Sequence, residues 1–359
     1  MLQPSTIEDL REAILNRPRL IPIAGSSKPG LTPVDDLETL SMLSFTGVLE
    51  YEPSEYTFTA RAGTRVSEVE ALLSENGQYL PFDPPFIDKG ATLGGVLASG
   101  LSGSGRYRYG GVRDFILGVV FMDGRGRVIK SGGKVVKNAA GFDLPKLMTG
   151  SLGAFGAILE LTFKVFPKPA AYRTMVTKLD DINQVREILA RLSLSPVELH
   201  CLDIETTEEA YSISVRIGGP PEPMEGRIAR LRRFINLDSE VLSGTSEELY
   251  WRKVSNFDWV PQGFYLVKVP LTPGRLLEFE STFRGTGALR RYTTGANLAW
   301  IAWTGDLQGL DERLCQLNLS GLRIIGRQGP IKLGAQSALT FYRRVKSALD
   351  PDHRWAEVN

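Results

Sequence analysis

Apolar residues in the first half of this chain come in short runs punctuated by glycine and proline. Leu20-Ile21-Pro22-Ile23 reads as a buried strand, Gly47–Tyr51 and Tyr56–Arg61 as paired strands, and Ala157–Phe166 as a longer one. Asp123-Gly124, set between Phe115–Met122 and Val128–Lys130, is a hairpin signal. Helices are announced by their caps. Ser5-x-x-Glu8 is a capping box for a helix reaching about Asn16, and Ser67-x-x-Glu70 opens one with Val69, Leu72 and Leu73 on its apolar face and Gly77 at its end. Thr92 opens a third, and Asp143 caps the short helix Leu144–Met148, which tolerates Pro145 in its first turn.

After Pro167-Lys168-Pro169 the pattern changes to ordinary helical periodicity. Ile182, Val185, Ile188, Leu189 and Leu192 share one helix face, as do Ile228, Leu231 and Phe234. Strand-like runs at Glu198–Ile204, Tyr211–Ile217, Phe264–Val269 and Leu298–Trp303 alternate with these helices without a phosphate turn, which predicts an antiparallel sheet covered by helices. Leu339–Leu349 closes the pattern as an amphipathic helix. The expected organisation is a domain over 1–169, an α+β cap over 170–335, and a tail over 336–359 that returns to the first domain.

Glycine is dense between Pro81 and Gly156, but apolar pieces separate the glycines, unlike a flexible linker. Such glycines permit sharp turns or close approach to a ligand. The small residues of Thr92-Leu93-Gly94-Gly95 leave a bare helix start whose free amides would suit an anion. A dinucleotide-type G-x-G-x-x-G at an early strand–helix turn is absent, and Gly133-Lys134 continues with Val135 rather than Ser or Thr, so neither common phosphate motif applies.

Three groups of residues resemble the flavin domain of the vanillyl-alcohol-oxidase/PCMH-type FAD family. The first is Ala24-Gly25-Ser26-Ser27-Lys28-Pro29 after the apolar run. The second is Asp83-Pro84, then Ala91-Thr92-Leu93-Gly94-Gly95 and Gly111-Val112-Arg113-Asp114. The third is Lys137-Asn138 with Gly141-Phe142-Asp143-Leu144, then Gly150-Ser151-Leu152-Gly153 and Gly156-Ala157-Ile158. Within that family the chain is similar to the E-type, FAD-binding subunits of bacterial glycolate oxidase. The resemblance implies an α+β, two-lobed PCMH-type FAD-binding domain with an antiparallel cap. It also implies FAD wrapped at its diphosphate by Ala24 to Pro29, by Ala91, Thr92, Gly94, Gly95, Ala98 and Ser99, and by Gly150, Ser151 and Gly153. Pro81, Asp83 and Pro84 would run beside the cofactor, and the Ile158 backbone would lie near the adenine. Lys137, near the flavin by resemblance, is the one catalytic candidate.

Composition narrows the chemistry. Lys+Arg 42 against Asp+Glu 41 gives no bulk attraction to nucleic acid or an anionic membrane, and no apolar run is long enough to span a bilayer. The expected location is the cytoplasm, with any membrane contact made through partners. Cys201 and Cys315 form no C-x-x-C pair, so no iron–sulfur site is encoded. His200 and His353 are the two histidines of the chain, and 1–169 contains none. Histidyl attachment in this family uses the flavin domain, so noncovalent FAD is expected.

The cap also lacks the histidine- and acid-rich segment with which 2-hydroxy-acid dehydrogenases of the family hold a metal and their substrate. No metal is therefore expected. His200 reads as a packed histidine, and Arg227-Ile228-Ala229-Arg230-Leu231-Arg232-Arg233 as a solvated helix face. Arg290 and Arg291 remain as possible carboxylate clamps. The resemblance implies partners: a homologous FAD-containing catalytic subunit and an iron–sulfur subunit, oxidising a small 2-hydroxy acid. A non-catalytic assembly subunit and a free-standing FAD oxidoreductase stay open.

Overall fold

A computed structural model describes residues 1–32, 37–133, 142–207, 210–326, 328–336 and 339–357. The chain folds as two compact units. One combines Met1–Ser102, Gly110–Lys168 and Gln336–Asn359; the other combines Gly103–Tyr109 with Pro169–Ala335.

In the first unit the apolar run becomes the strand Leu20–Ile23, paired in parallel with Glu38–Ser41. The helix Ile7–Asn16 buries Leu10 and Ile14 in a core with Leu20, Leu40, Leu159 and Trp355. Its capping box lies one residue later than the sequence suggests. Thr6 Oγ1 accepts from Asp9 N at 3.0 Å, while Asp9 Oδ2 accepts from Thr6 N at 3.1 Å, because the shorter aspartate reaches back where Glu8 points to solvent. The helix Val66–Ser74 also departs from expectation. It starts at Arg65 with no side-chain cap, because the Val66 amide donates to the Ala91 carbonyl at 2.9 Å and tertiary backbone replaces the Ser67 hydroxyl.

A five-stranded antiparallel sheet follows, in the order Val48–Glu52, Thr57–Arg61, Ala157–Lys164, Ile116–Met122, Val128–Gly132. The Asp123-Gly124 hairpin joins the last two, as its sequence predicts. Phe58, Phe82, Phe115 and Phe163 pack at centroid separations of 5.4 to 5.9 Å. The C-terminal helix Leu339–Leu349 belongs to this unit. Its Lys346 is buried and donates to Asp350 Oδ2 at 2.6 Å, the Trp355 carbonyl at 2.7 Å and the Ala154 carbonyl at 2.8 Å. Leu20 then exchanges backbone bonds with Arg354 and Ala356, so the end of the chain extends the first strand.

The second unit is a nine-stranded sheet whose neighbouring strands are all antiparallel among the described residues. Helices Ile182–Ser193, Met224–Ile235, Leu276–Phe283 and Leu307–Gln316 place their apolar stripes in one core with it. Leu289–Thr293 is a strand that the hydrophobic pattern does not reveal, because Arg290 and Arg291 interrupt it. Both arginines are buried in ion pairs. Two tryptophans are buried in this unit: Trp251 donates to Thr174 Oγ1 at 2.7 Å, and Trp300 packs on Phe257 at 4.6 Å.

Candidate functional site

The strand Leu20–Ile23 delivers the chain into a turn whose shape only its own sequence allows. A Cβ on Gly25 would stand 2.0 Å from the Gly90 carbonyl oxygen and 2.9 Å from the Arg65 guanidinium, which itself donates to that carbonyl. Ser26 takes the left-handed conformation at φ 48°, the kind of turn that can gather successive amides. Among the described residues the N–H groups of Gly25, Ser26, Ser27 and Lys28 find no acceptor. A 3₁₀ turn, Pro29–Leu31, then ends the loop.

Lys28 is the chemical centre of this turn. Its side chain is buried, with the residue 7% exposed, and its Nζ donates to Ser27 Oγ at 3.1 Å and sits 5.7 Å from the Phe86 ring. No carboxylate pairs with it among the described residues. Burial pushes its ammonium down from 10.5 to about 8. Among the described residues this buried cation has a hydroxyl and an aromatic face beside it and no anion to compensate its charge.

One cleft is lined by Ala24, Gly25, Ser26, Ser27 and Lys28 on one side and by Thr92, Gly95, Ala98 and Ser99 of the helix Leu93–Ser99 on the other. Leu152 from the third glycine turn joins them. The bare helix start does not act as anticipated. Leu93 N donates to the Thr64 carbonyl at 3.0 Å, Gly94 N to the Ala62 carbonyl at 2.8 Å, and Gly95 N to Thr92 Oγ1 at 3.3 Å. Those amides are already used, because the Thr92 cap and the neighbouring strand end reach them first. Free donors come from the Gly25–Lys28 loop.

Gly94 is likewise a packing residue: a Cβ there would meet Ala62 Cβ at 2.8 Å. Gly95 is different, with Thr92 Oγ1 at 3.2 Å and Lys28 Nζ at 3.9 Å as its nearest neighbours. The turn at Gly150, Ser151 and Gly153 is fastened to the same helix. Gly150 N donates to the Leu97 carbonyl and Leu152 N to the Ala98 carbonyl, each at 2.9 Å. Ser151 Oγ is buried without a partner. Pro81, Pro84 and Ala91 are buried, Asp83 is half-buried, and Ile158 pairs with Phe121 in the sheet; none of them lines this cleft. Lys137 lies outside the described residues. Leu31, Thr32 and Arg65 contribute without having been singled out, and no motif marks them.

In the second unit the candidate chemical groups are spent. Arg290 Nε and Nη2 reach Glu280 at 2.8 and 3.0 Å. Arg291 reaches Asp203 at 3.3 Å and Glu205 at 3.1 Å. Neither is the free carboxylate clamp that the sequence left open. His200 is 5% exposed, with both ring nitrogens unpartnered, and burial beside Arg108, Arg216 and Arg227 pushes it down to about 3. It stays neutral. No group of three or more His, Cys, Asp or Glu suited to a metal occurs among the described residues.

Four amides, serine hydroxyls and an ammonium without a carboxylate partner among the described residues line one cleft and could together hold a diphosphate. Residues 1–132 match the family of the FAD binding domain. Residues 1–132 carry the FAD binding domain. This flavoprotein is 36% identical over 193 residues to glycolate oxidase subunit GlcE of Escherichia coli, covering 54% of this chain and 55% of that one. It is 28% identical over 162 residues to glycolate oxidase subunit GlcD of Bacillus subtilis, covering 44% and 34%. It is 27% identical over 213 residues to the mitochondrial cytochrome D-lactate dehydrogenase 1 of Saccharomyces cerevisiae, covering 57% and 36%. The match thus spans between a third and just over half of these relatives. Alkyldihydroxyacetonephosphate synthase shares the fold, with a TM-score of 0.71 at 16% identity over 98% of this chain and 75% of that one. The cofactor is FAD and the fold is of the PCMH type. No helix among the described residues is long and apolar enough to cross a membrane.

Proposed function

We propose that this flavoprotein holds FAD noncovalently, its diphosphate on the Ala24–Lys28 loop, as one subunit of an assembly that oxidises a small 2-hydroxy acid of the glycolate or D-lactate class. Lys28 carries the reading: a buried ammonium with no carboxylate partner among the described residues, in a cleft it shares with unbonded loop amides, suits an anion. Noncovalent attachment is supported by the lack of histidine in 1–169 and by the position of Cys201 and Cys315 in the second unit. The turn at Gly150, Ser151 and Gly153 would line the ribose side, Pro81, Asp83 and Pro84 the ring side, and the Ile158 backbone the adenine.

When bound, FAD supplies a two-electron acceptor for hydride from the hydroxyl-bearing carbon. The chain's own residues then bind and orient it: Lys28 and the loop amides neutralise the diphosphate, and Gly95 leaves room for it. A base that takes the hydroxyl proton and a clamp on the carboxylate are needed as well. Since His200 is held neutral without a partner and Arg290 and Arg291 are in ion pairs, those groups are assigned to a homologous FAD-containing catalytic subunit, with an iron–sulfur subunit as electron acceptor. The names of the glycolate oxidase relatives support such an assembly. Should this chain instead oxidise the acid unaided, as a free-standing oxidoreductase, Lys137 is its base candidate.

Purified protein should be yellow, and acid precipitation should leave the flavin in the supernatant. Flavin retained by the pellet overturns noncovalent attachment, and colourless protein that takes up no added FAD overturns the site. Affinity purification with mass spectrometry should recover the two partner subunits; recovery of the chain alone refutes the assembly.

A further inference from the structure

The basic run that reads as a solvated face does not lie wholly in solvent. Arg227 and Arg230, one helical turn apart on Met224–Ile235, line a cavity of about 350 Å³ in the second unit, together with Arg108 from the Gly103–Tyr109 segment. Its size is at the lower end of small-molecule sites. Pro196, Val197 and Pro220 give it apolar walls.

Two of the three arginines are held in place before any ligand arrives. Arg227 Nη1 donates to the Gly218 carbonyl at 2.7 Å and Nη2 to the Glu198 carbonyl at 3.1 Å. Arg108 Nη2 donates to the Glu198 carboxylate at 2.8 Å, its plane lies 5.0 Å from the Tyr109 ring, and its Nε is buried with no partner. The floor needs glycine. A Cβ on Gly218 would stand 2.6 Å from the Tyr172 ring and 3.1 Å from His200, and one on Gly219 would stand 3.0 Å from Arg227 Nη1. Glu198 is the one carboxylate that lines the cavity, against three guanidiniums, and its side chain is 72% exposed. Two positive charges are left over in a preformed concavity, and a guanidinium presents its donors in the paired geometry that suits geminal oxygens. The neutral His200 behind the floor adds no charge of either sign.

We propose that this cavity binds a small phosphorylated metabolite, its phosphate on Arg108, Arg227 and Arg230 and its carbon skeleton against Pro196, Val197 and Pro220. The ligand is a dianion, matching the surplus of two, and the cavity has volume beyond that of a bare phosphate. The site uses no residue of the FAD cradle.

The test uses FAD-loaded protein, so that the cofactor's own phosphate site is filled. Calorimetric titration with glycerol phosphate, inorganic phosphate and succinate is compared for the native chain, for Arg230→Gln and for Arg227→Gln. Glycerol phosphate should bind, with inorganic phosphate weaker and succinate weaker still. Arg230→Gln, which removes no bond among the described residues, should lower affinity about tenfold, while flavin absorbance and circular dichroism stay unchanged. Arg227→Gln should lower it further. Tighter binding of inorganic phosphate than of glycerol phosphate refutes the role given to the apolar walls. Succinate binding as tightly as glycerol phosphate refutes the phosphate assignment. Absence of binding at ligand concentrations of about 1 mM, or binding indifferent to Arg230→Gln, refutes the site.

Discussion

Lys28→Met should stabilise the protein without cofactor and weaken its hold on FAD, two effects of opposite sign from one substitution. Methionine keeps the length and apolar stem of lysine while removing the charge. Burial displaces the Lys28 ammonium from 10.5 to about 8. At about 1.4 kcal/mol per pH unit, that displacement costs the empty protein about 3 kcal/mol at neutral pH. Between pH 8 and 10.5 the unfolded chain carries a proton that the folded empty protein has released, so its stability should rise with pH across that window and the variant should lose this rise. A diphosphate beside the ammonium restores the proton, so FAD affinity should fall as pH increases above about 8. Losing charge-assisted hydrogen bonds of about 1.5–3 kcal/mol should weaken FAD about ten- to a hundredfold at neutral pH. Urea unfolding of deflavinated protein and titration by flavin fluorescence measure the two halves. A variant that is less stable when empty yet binds FAD as tightly as the native chain refutes the reasoning, because Lys28 would then be an ordinary packing residue.

The two adjacent glycines should part company. Gly95→Val should fold and lose flavin, since its side chain enters the cleft toward Lys28, whereas Gly94→Val should lower the unfolding free energy by about 1–3 kcal/mol through collision with Ala62, as read by denaturant melts. Excess glycolate or D-lactate should not rapidly bleach the flavin of the isolated chain under anaerobic conditions; rapid bleaching that Lys137→Met abolishes would assign the base to this subunit after all. His200→Phe should cost under about 1 kcal/mol, since no hydrogen bond is lost. The native chain should lose stability as pH falls from 6.5 toward 3, because the unfolded histidine protonates first, and this slope should shrink in the variant.

Glycine and proline made the first unit readable. Gly25, Gly94 and Gly153 each stand where a Cβ would strike neighbouring backbone or a ring, so their spacing records tertiary geometry as well as local turns. The same signal could not say which glycine faces a ligand. Gly94 and Gly95 look equivalent in sequence, yet one abuts Ala62 and the other opens on the cleft. The expected free amides at Leu93–Gly95 failed for a related reason: their acceptors, the Thr64 and Ala62 carbonyls, come from a distant strand end that no local pattern links to the helix. In the second unit, the strand Leu289–Thr293 escaped notice because its buried charges are balanced by Glu280, Asp203 and Glu205, partners remote in sequence. Arg227 escaped in the same way, since only the folded sheet brings Gly218 and Arg108 to it.

The return of the C-terminal segment to the first strand bears on the order in which the protein is made. Trp355 belongs to the same core as Leu10 and Leu20, and Lys346 ties Asp350 to the Ala154 carbonyl. During synthesis the residues from Pro169 to Ala335 emerge, and can fold, before those that complete the first unit exist. Until residues 339–357 leave the ribosome, the strand Leu20–Ile23, which feeds the Lys28 loop, lacks its Arg354 and Ala356 neighbours. The strand that feeds the Lys28 loop is thereby completed only after the second unit has emerged, and a stop within the helix Leu339–Leu349 should leave the second unit whole and the core of the first without Trp355.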